Sequence, residues 1–403
     1  MLYRCFSLKI LFNIENFISS LNCLYLECDV IMRLIPIEFA KPGNYLAKTI
    51  YDNDGRILLR EGVVLTEVFL TRIIGLQIYS IYISDGYSNI IIDDVIKPEL
   101  RQNAIKAIKE TFYSFEKYNL YSNNTNFNEK KFAKEKKAYF ESIGSLSKNI
   151  IDEIISKKNI MINLVDIKSM DNYTYQHSVN VAIISLVLGV QLQLNQNELY
   201  TLCMGALIHD IGKVLIPKEI ILKPGPLTDE EFNIVKQHTT KGYDYLKGCL
   251  DISAPARIVA LQHHEKMNGG GYPDNIKNKS INRFARIVAI ADVYDALTSD
   301  RPYRKAMSPN DALEYLLSHC DAQFDYEMVK AFSKAVVPYP PGTLVKLSTG
   351  DIGVVTAVFP DFALRPQVKI IKSGTDANAQ EVGSTVSLVD KLNIVIKNIE
   401  FVI

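Results

Sequence analysis

Five of the six histidines in this 403-residue chain, together with two aspartates, form an ordered series whose residue types suit metal binding. The series is His177, His209, Asp210, His238, His263, His264 and Asp292. Imidazole nitrogens and carboxylate oxygens are ligands that Fe, Mn, Ni and Zn accept. We therefore predict a site for two divalent metal ions, with Fe or Mn favoured and Ni or Zn as alternatives.

The number of ligands predicts a catalytic site rather than a structural one. Two octahedral ions need about a dozen coordination positions. Seven side chains, with one carboxylate bridging, leave several of those positions for water and substrate oxygens. Structural metal sites are closed by protein ligands, whereas catalytic sites keep positions open.

Helices must position these ligands, because the apolar residues near them recur at helical spacing. Leu199, Leu202 and Leu207 lead into His209 with this period. A lone histidine such as His238 is more often an ordinary core or surface residue, but burying an adjacent His-Asp pair without partners is costly. The sixth histidine, His319, stands alone in a helical context, and we exclude it from the site. The sequence thus predicts a mainly α fold.

The motifs around the ligands resemble the HD-GYP subfamily of the HD-superfamily metal-dependent phosphohydrolases. A His-Asp dipeptide alone is a weak signal, but an ordered series of motifs over about residues 165–335 is specific. The motifs are Tyr-Thr-x-x-His-Ser at 173–178, His-Asp-Ile-Gly-Lys at 209–213, His-His-Glu-Lys-Met-Asn-Gly-Gly-Gly-Tyr-Pro at 263–273 and Ala-Asp-Val-Tyr-Asp-Ala-Leu-Thr at 291–298. The resemblance implies an all-helical core of the HD type.

The resemblance also implies how the ligands divide between two metals. The first metal would be held by His177, His209, Asp210 and Asp292. The second would be held by His238, His263 and His264, with Asp210 bridging the two. Some members use a glutamate four residues before the first histidine to help bind a third metal. Tyr173 stands there in this chain, which favours a binuclear site.

Cyclic di-GMP is the substrate that the resemblance implies, opened to linear pGpG and in some members cut on to GMP. A hydroxide held between two metals is a nucleophile at neutral pH, and both ions polarise a phosphoryl oxygen. The implied catalytic residues are Asp210, Lys213 and Asp295. The implied substrate contacts are Lys213, Gly271, Tyr272, Asp295, Arg301 and Arg304. Arginine forks match phosphate geometry well.

The glycine run at 269–271 has two interpretations. Glycine permits positive φ and close approach to a ligand, and Asn268, Tyr272 and Pro273 would fix such a loop. A plain turn between helices is the simpler alternative. We favour the functional interpretation because the run directly follows the pair His263-His264.

Two other functions stay open at this point. One is hydrolysis of another cyclic dinucleotide such as cyclic GMP-AMP, because nothing in the sequence reads base edges unambiguously. The other is a non-catalytic sensor or scaffold that binds the nucleotide or a diguanylate cyclase. All seven ligand positions are intact, which favours catalysis.

Composition narrows the partners and the compartment. Lys plus Arg and Asp plus Glu both number 45, so no basic field attracts a nucleic-acid polymer. The six cysteines are scattered without disulfide or metal spacing, which predicts reduced thiols and a cytoplasmic protein. No apolar stretch reaches the roughly 18 residues of a membrane span.

We predict five parts along the chain. They are an N-terminal extension at 1–31 with Met32 as an alternative start, a small α/β domain at 32–96, a helical linker at 97–164, the HD-GYP catalytic domain at 165–335 and a β-rich extension at 336–403. In the small domain we expect strands at 45–51, 56–60 and 78–83, and a helix from Thr66. The linker helices would join the domains or pair in a homodimer, and a solvated face accounts for their charges equally well.

Overall fold

Helices build the middle of the chain and short strands build its two ends, as the sequence predicts. The computed structural model describes residues 32–52, 56–76, 78, 80–84, 94–121, 129–157, 173–223, 225–299, 306–359, 362–376 and 379–401. The predicted extension at 1–31 lies outside these residues.

The first unit contains two small antiparallel sheets and one helix. Its elements are β1 (Arg33–Pro36), β2 (Tyr45–Leu46), β3 (Ile50–Tyr51), β4 (Ile57–Leu59), α1 (Glu67–Gly75) and β5 (Ser80–Ser84). The order β1-β5-β2 forms one sheet, and β3 pairs with β4 in the other. The predicted strand at 45–51 is in fact two strands, and β1 was not predicted. Thr66 caps α1, which confirms the predicted start of that helix.

Two long helices come next, α2 (Pro98–Tyr121) and α3 (Glu129–Ser156). The sequence assigns both to a linker, but their apolar faces pack into the same core as the helices that follow. Phe112 on α2 and Ile143 on α3 are fully buried there. The boundary near residue 164 stays a prediction, while the helices on its N-terminal side belong structurally to the helical core. The loop predicted at 121–126 lies almost wholly outside the described residues.

Eight more α-helices lie among the described residues of the middle of the chain. They are α4 (Tyr173–Gln191), α5 (Gln196–Leu207), α6 (Lys218–Ile221), α7 (Asp229–Lys247), α8 (Ala254–Gln262), α9 (Arg283–Leu297), α10 (Pro309–Ser318) and α11 (Tyr326–Ala335). Local sequence fixes where several begin. Asn195 with Glu198 forms a capping box at α5, and Thr228 with Glu231 forms one at α7.

Helix α4 runs through the centre of this core. Every residue from His177 to Gly189 is buried, so α4 lacks the polar face of a surface helix. It contacts α2, α3, α5, α9 and α11. A metal-binding side chain on the first turn of α4 is therefore held in position by the packing of many other elements against this helix.

A five-stranded antiparallel sheet follows the helices, which confirms the predicted β-rich extension. Its strands are β6 (Leu344–Leu347), β7 (Ile352–Ala357), β8 (Gln367–Lys372), β9 (Thr385–Ser387) and β10 (Ile396–Ile399), in the order β10-β6-β7-β8-β9. The end of this unit contacts the first unit, because the Phe401 ring stacks on Phe39 with centroids 5.3 Å apart. The Arg33 guanidinium also donates to the Phe401 carbonyl at 3.0 Å.

The cysteines that the structure describes are free thiols, two of them buried. Cys203 and Cys249 are buried and Cys320 is partly exposed, while Cys5, Cys23 and Cys28 lie outside the described residues. Burial raises the pKa of the Cys203 thiol to about 12. Within the described ranges, none of the helices has the length and apolar character that crossing a membrane requires.

Candidate metal centre

The seven predicted ligands come from five segments and converge on one point. His177 lies on the first turn of α4, His209 and Asp210 lie in the turn after α5, His238 lies on α7, His263 and His264 follow α8, and Asp292 lies on α9. The imidazole and carboxylate groups are at most 25% exposed, and most are fully buried. Helices of the core therefore bring together residues up to 115 positions apart, from 177 to 292.

The convergent side chains form two groups that share one aspartate. We call His177, His209 and Asp210 the inner group, and Asp210, His238, His263 and His264 the outer group. In each group the possible ligand atoms, one from each residue, lie within 4.8 Å of one another. Both groups therefore have the donor set and the compactness that a divalent ion requires.

Asp210 directs one carboxylate oxygen to each group. Its Oδ2 lies 3.3 Å from His209 Nε2 and 3.9 Å from His177 Nε2. Its Oδ1 lies 3.4 Å from His238 Nε2 and 3.8 Å from His263 Nε2. This division between the two oxygens is the geometry that a bridging carboxylate needs.

Asp292 makes a second connection between the groups. Its Oδ1 lies 3.0 Å from His177 Nε2 and its Oδ2 lies 3.9 Å from His264 Nδ1. Although burial raises the pKa of Asp292, contacts with His177 and His264 outweigh it and hold that pKa below the usual value. The carboxylate is thus an anionic donor beside both groups.

Hydrogen bonds at Nδ1 orient four of the histidine rings. Three of these nitrogens contact carbonyls of the preceding turn: His209 to Ala206 at 2.7 Å, His238 to Val235 at 2.7 Å and His263 to Val259 at 3.0 Å. An Nδ1–H that donates to a carbonyl leaves Nε2 as the lone-pair nitrogen. His177 differs, because its Nδ1 contacts the Asp295 carboxylate at 2.7 Å.

Burial keeps the outer histidines neutral, which is the form that binds metal. Burial lowers the pKa of His238 to about 4 and that of His264 to about 3, and it holds the pKa of His263 well below the usual value. Burial would also lower the pKa of His177, but its contacts with Asp292 and Asp295 raise it overall. Nearby His209 and Lys213 hold the pKa of Asp210 well below its usual value despite burial.

Two buried polar atoms at the centre make no hydrogen bond to any described residue. They are Oδ1 of Asp210 and Nε2 of His209. Burying polar atoms in this state costs free energy unless another partner is present. A divalent ion coordinated by both groups would supply that partner, so the residues fit the metals that the sequence predicts.

A glycine beside Asp210 sets the distance between the two groups. A Cβ on Gly212 would lie 1.9 Å from the His238 carbonyl oxygen and 2.7 Å from the Gly242 nitrogen. Only glycine therefore allows α7 to pack against the turn that follows Asp210. This close approach brings the His238 ring to the Asp210 carboxylate.

The glycine run covers the His263-His264 end of the site. Gly269 has φ of +81°, which confirms the predicted positive φ. A Cβ on Gly271 would lie 2.4 Å from the Lys266 nitrogen, so this glycine allows a close approach to the chain's own backbone, while its predicted approach to a ligand stays a prediction. Tyr272 donates its backbone N–H to the His264 carbonyl at 3.2 Å, and its ring lies 4.8 Å from the His264 ring.

The predicted substrate residues lie in different places. Lys213 places its Nζ 2.5 Å from Asp210 Oδ2 and is 27% exposed, so it lies at the edge of the centre. Asp295 is buried and contacts His177 Nδ1 at 2.7 Å, which makes it a partner of that histidine, while its predicted catalytic role and its contact with substrate stay predictions. Arg301 and Arg304 lie outside the described residues, so their phosphate contacts stay predictions.

Sequence reasoning missed several residues at this site. Asn180 donates to Asp295 at 3.1 Å, and its position three residues after His177 on one helical face was an available signal. Phe232 on α7 is 43% exposed and its ring centroid lies 6.2 Å from that of Tyr272. Lys236 holds its Nζ 4.7 Å from the Phe232 ring centroid. Phe232, Lys236 and Tyr272 together form an aromatic and cationic surface beside the outer group.

Comparison with known proteins identifies the helical core. Residues 152–328 match the family model of the HD domain, and residues 344–401 match that of the KOW domain associated with the HD domain. Residues 152–328 therefore carry an HD domain, as the resemblance predicted. An HD domain implies binding of divalent metal.

Particular relatives are bacterial phosphodiesterases. The chain is 39% identical over 229 residues to cyclic di-GMP phosphodiesterase PA4108 of Pseudomonas aeruginosa, which covers 56% of this chain and 55% of that protein. It is 43% identical over 142 residues to cyclic di-GMP phosphodiesterase response regulator RpfG of Xanthomonas campestris, which covers 35% of this chain and 38% of that protein. It is 38% identical over 166 residues to 3'3'-cGAMP-specific phosphodiesterase 1 of Vibrio cholerae, which covers 41% of this chain and 38% of that protein. The chain thus spans about half or less of the length of these relatives.

Proposed function

We propose that this chain is a metal-dependent phosphodiesterase that hydrolyses cyclic di-GMP to linear pGpG, and onward to GMP. The observation that carries the proposal is the Asp210 carboxylate, which faces the inner group with one oxygen and the outer group with the other. A carboxylate in this position is suited to hold two ions at the short separation that phosphoryl transfer uses. The names of the relatives supply the substrate class.

The proposed ligand sets follow the geometry of the two groups. The first metal would be held by His177, His209, Asp210 and Asp292, and the second by Asp210, His238, His263 and His264. When bound, two such ions activate water as a nucleophile and polarise a phosphoryl oxygen. We favour Fe or Mn, and the free thiols of Cys203, Cys249 and Cys320 support a reducing compartment such as the cytoplasm.

Substrate would approach from the side of the outer group. His264 is the most exposed of the ligands at 25%, and Lys213 at 27% exposure offers an ammonium group to a phosphate oxygen. Tyr272 and Phe232 offer ring faces to a guanine base beside it, and base stacking on an aromatic ring contributes about 1–3 kcal/mol. Arg301 and Arg304 are proposed phosphate contacts on the sequence evidence alone.

A second candidate substrate is cyclic GMP-AMP. The likeness to the 3'3'-cGAMP-specific phosphodiesterase of Vibrio cholerae favours it. Stacking on Phe232 and Tyr272 does not distinguish guanine from adenine, because every base has a π face. A sensor that binds the nucleotide, or a diguanylate cyclase, without turnover is the third outcome that the experiment below separates.

The test is product formation by the full chain, purified anaerobically and loaded with Fe or Mn. Equal concentrations of cyclic di-GMP and cyclic GMP-AMP are incubated separately, and the products are separated by chromatography. We expect linear pGpG or GMP from cyclic di-GMP, formed faster than product from cyclic GMP-AMP. Faster cleavage of cyclic GMP-AMP would reassign the substrate. Binding without any product in the metal-loaded chain would contradict the enzymatic proposal.

A further inference from the structure

A row of hydrogen bonds joins a helix outside the HD-domain match to the inner group. Arg101 on α2 donates from Nη1 to Oδ1 of Asn180 at 2.6 Å. Asn180 donates from Nδ2 to Oδ1 of Asp295 at 3.1 Å. The other oxygen of Asp295 lies 2.7 Å from Nδ1 of His177. Residue 101 precedes the matched range, which begins at residue 152.

Donor and acceptor chemistry fixes the direction of every bond in this row. A guanidinium carries only donors, so the group of Asn180 that faces Arg101 must be its carbonyl oxygen. The amide nitrogen of Asn180 must then face Asp295, whose ionised carboxylate only accepts. The second oxygen of Asp295 must therefore receive its hydrogen from Nδ1 of His177. With Nδ1 committed to Asp295, Nε2 of His177 is the nitrogen that faces Asp292 and Asp210, and it is the atom that would bind an ion held with those carboxylates.

Burial makes an incorrect orientation of the Asn180 amide costly in free energy. Asn180 is 3% exposed and Asp295 is 2% exposed, so water cannot replace a lost partner. Without the donor from Arg101, the Asn180 carbonyl oxygen loses its hydrogen-bond partner inside the core, and the side chain gains by moving toward another donor. A rotated amide would place its oxygen against the Asp295 carboxylate, which removes a hydrogen bond and adds repulsion in a buried site.

We propose that Arg101 is a positioning residue for the inner metal, acting through Asn180 and Asp295 to fix the tautomer and the ring orientation of His177. This inference rests on the metal-binding part of the proposed function and is independent of which dinucleotide is cleaved. His209, His238 and His263 take their orientation from carbonyls of their own preceding turn. His177 is the ligand whose orientation depends on a helix from another part of the chain.

The test measures metal affinity rather than turnover. Mn(II) is titrated into the metal-free full chain, and free Mn(II) is followed by electron paramagnetic resonance, which gives the number of sites and their affinities. Arg101→Met keeps a long apolar stem and removes every donor. We expect it to weaken one site about tenfold, the lower end of the effect of residues that orient metal ligands. The other site should keep its affinity, and His177→Gln should weaken the same site.

Two companion variants separate hydrogen bonding from general damage. Arg101→Lys keeps a cationic donor and should recover most of the lost affinity. Arg257→Met is the matched control, because Arg257 donates to the Lys247 carbonyl on an exposed surface. It should titrate as the unmodified chain does. Should Arg101→Met fail to fold, Asn180→Leu breaks the same row one residue closer and should produce the same selective loss.

The outcomes distinguish this inference from the proposed function. Two unchanged sites in folded Arg101→Met or Asn180→Leu would overturn the role of Arg101 while leaving the binuclear centre in place. Equal weakening of both sites, or an Arg101→Lys variant as weak as Arg101→Met, would also overturn it. An unmodified chain that binds no Mn(II) would overturn the inference and the proposed metal chemistry together.

Discussion

The inner and outer groups present the same ligand chemistry, but one ligand of the inner group, His177, is held in place differently. In the outer group, His238 and His263 are oriented by carbonyls three and four residues earlier in their own chain segments. In the inner group, His177 is oriented by Asp295 on another helix. His238 and His263, like His209 in the inner group, therefore gain their orientation when their own chain segments form, whereas His177 gains its orientation only when the core assembles.

Exposure differs at one ligand of the outer group, His264, while His238 and His263 are as buried as the inner group. The side chains of the inner group are at most 3% exposed, while His264 in the outer group is 25% exposed and lies beside Tyr272. A buried ligand set suits a metal that stays bound, and an exposed edge suits the approach of substrate. We therefore expect changes in the inner group to affect folding and metal retention, and changes at the outer edge to affect substrate binding.

The largest effect is expected from Asp210→Ala, because this substitution removes the carboxylate that both groups share. Hydrolysis of cyclic di-GMP should fall to background, and fewer metal ions should remain bound per chain. Product chromatography and metal analysis measure the two quantities. Asp244→Ala is the control, since Asp244 lies exposed on α7 and pairs with Lys247 on the surface. Unchanged turnover in Asp210→Ala would contradict the account of the shared carboxylate.

The second largest effect is expected on the stability of the metal-free chain, which a substitution in the inner group should lower more than one in the outer group. His177→Leu leaves Asp295 buried without its histidine, and breaking a buried ion pair in this way costs about 3–5 kcal/mol. His264→Leu, at the partly exposed edge, should cost less than about 1 kcal/mol, as surface substitutions usually do. Thermal unfolding of both variants without metal measures the difference. Equal midpoints would show that the two groups are anchored alike.

Gly212→Ala should disturb the contact between the groups. The added Cβ meets the backbone of α7, so this helix must move away from Asp210, at a cost of about 1–3 kcal/mol for overpacking. We expect weaker binding at the outer site and a lower unfolding midpoint. Gly248→Ala is the matched control at the end of the same helix, where a Cβ meets nothing within 4 Å. A Gly212→Ala chain that binds metal normally would mean that this contact does not position His238.

The smallest effect is expected at the open side of the outer group. Phe232→Ala removes an exposed ring that touches no ligand, so metal content and the maximal rate should change little. The Michaelis constant should rise about tenfold if one base stacks there, since stacking contributes about 1–3 kcal/mol per base. Steady-state kinetics at saturating metal decides between these effects. An unchanged Michaelis constant would remove Phe232 from the substrate site.

The ligand set was predictable from the sequence because histidine and aspartate are rare enough in apolar helices for their order to be informative. His209-Asp210 and His263-His264 stand as adjacent pairs, and each continues into a glycine-containing motif. The capped start of α1 at Thr66 and the alternating strands of the last unit follow local rules in the same way. Local patterns of this kind predict elements well, and they single out side chains that the fold brings together.

Long-range partners could not be predicted. Arg101 lies in a charged helix that resembles a solvated linker, and nothing in its neighbourhood indicates a contact with Asn180, 79 positions later. The motif around Asp295 likewise does not show that its side chain contacts His177, 118 positions earlier. The apolar faces of α2 and α3 were visible, but periodicity does not show which surface covers them.

The central claim, that two metals share Asp210 and act together, is tested most directly by measuring turnover of cyclic di-GMP against bound metal per chain. Metal-free protein receives Mn(II) in steps, and bound metal and initial rate are recorded at each step. The account predicts little turnover up to one bound ion per chain and a steep rise as the second binds. Full turnover with one ion, or no turnover with two ions bound, would contradict it.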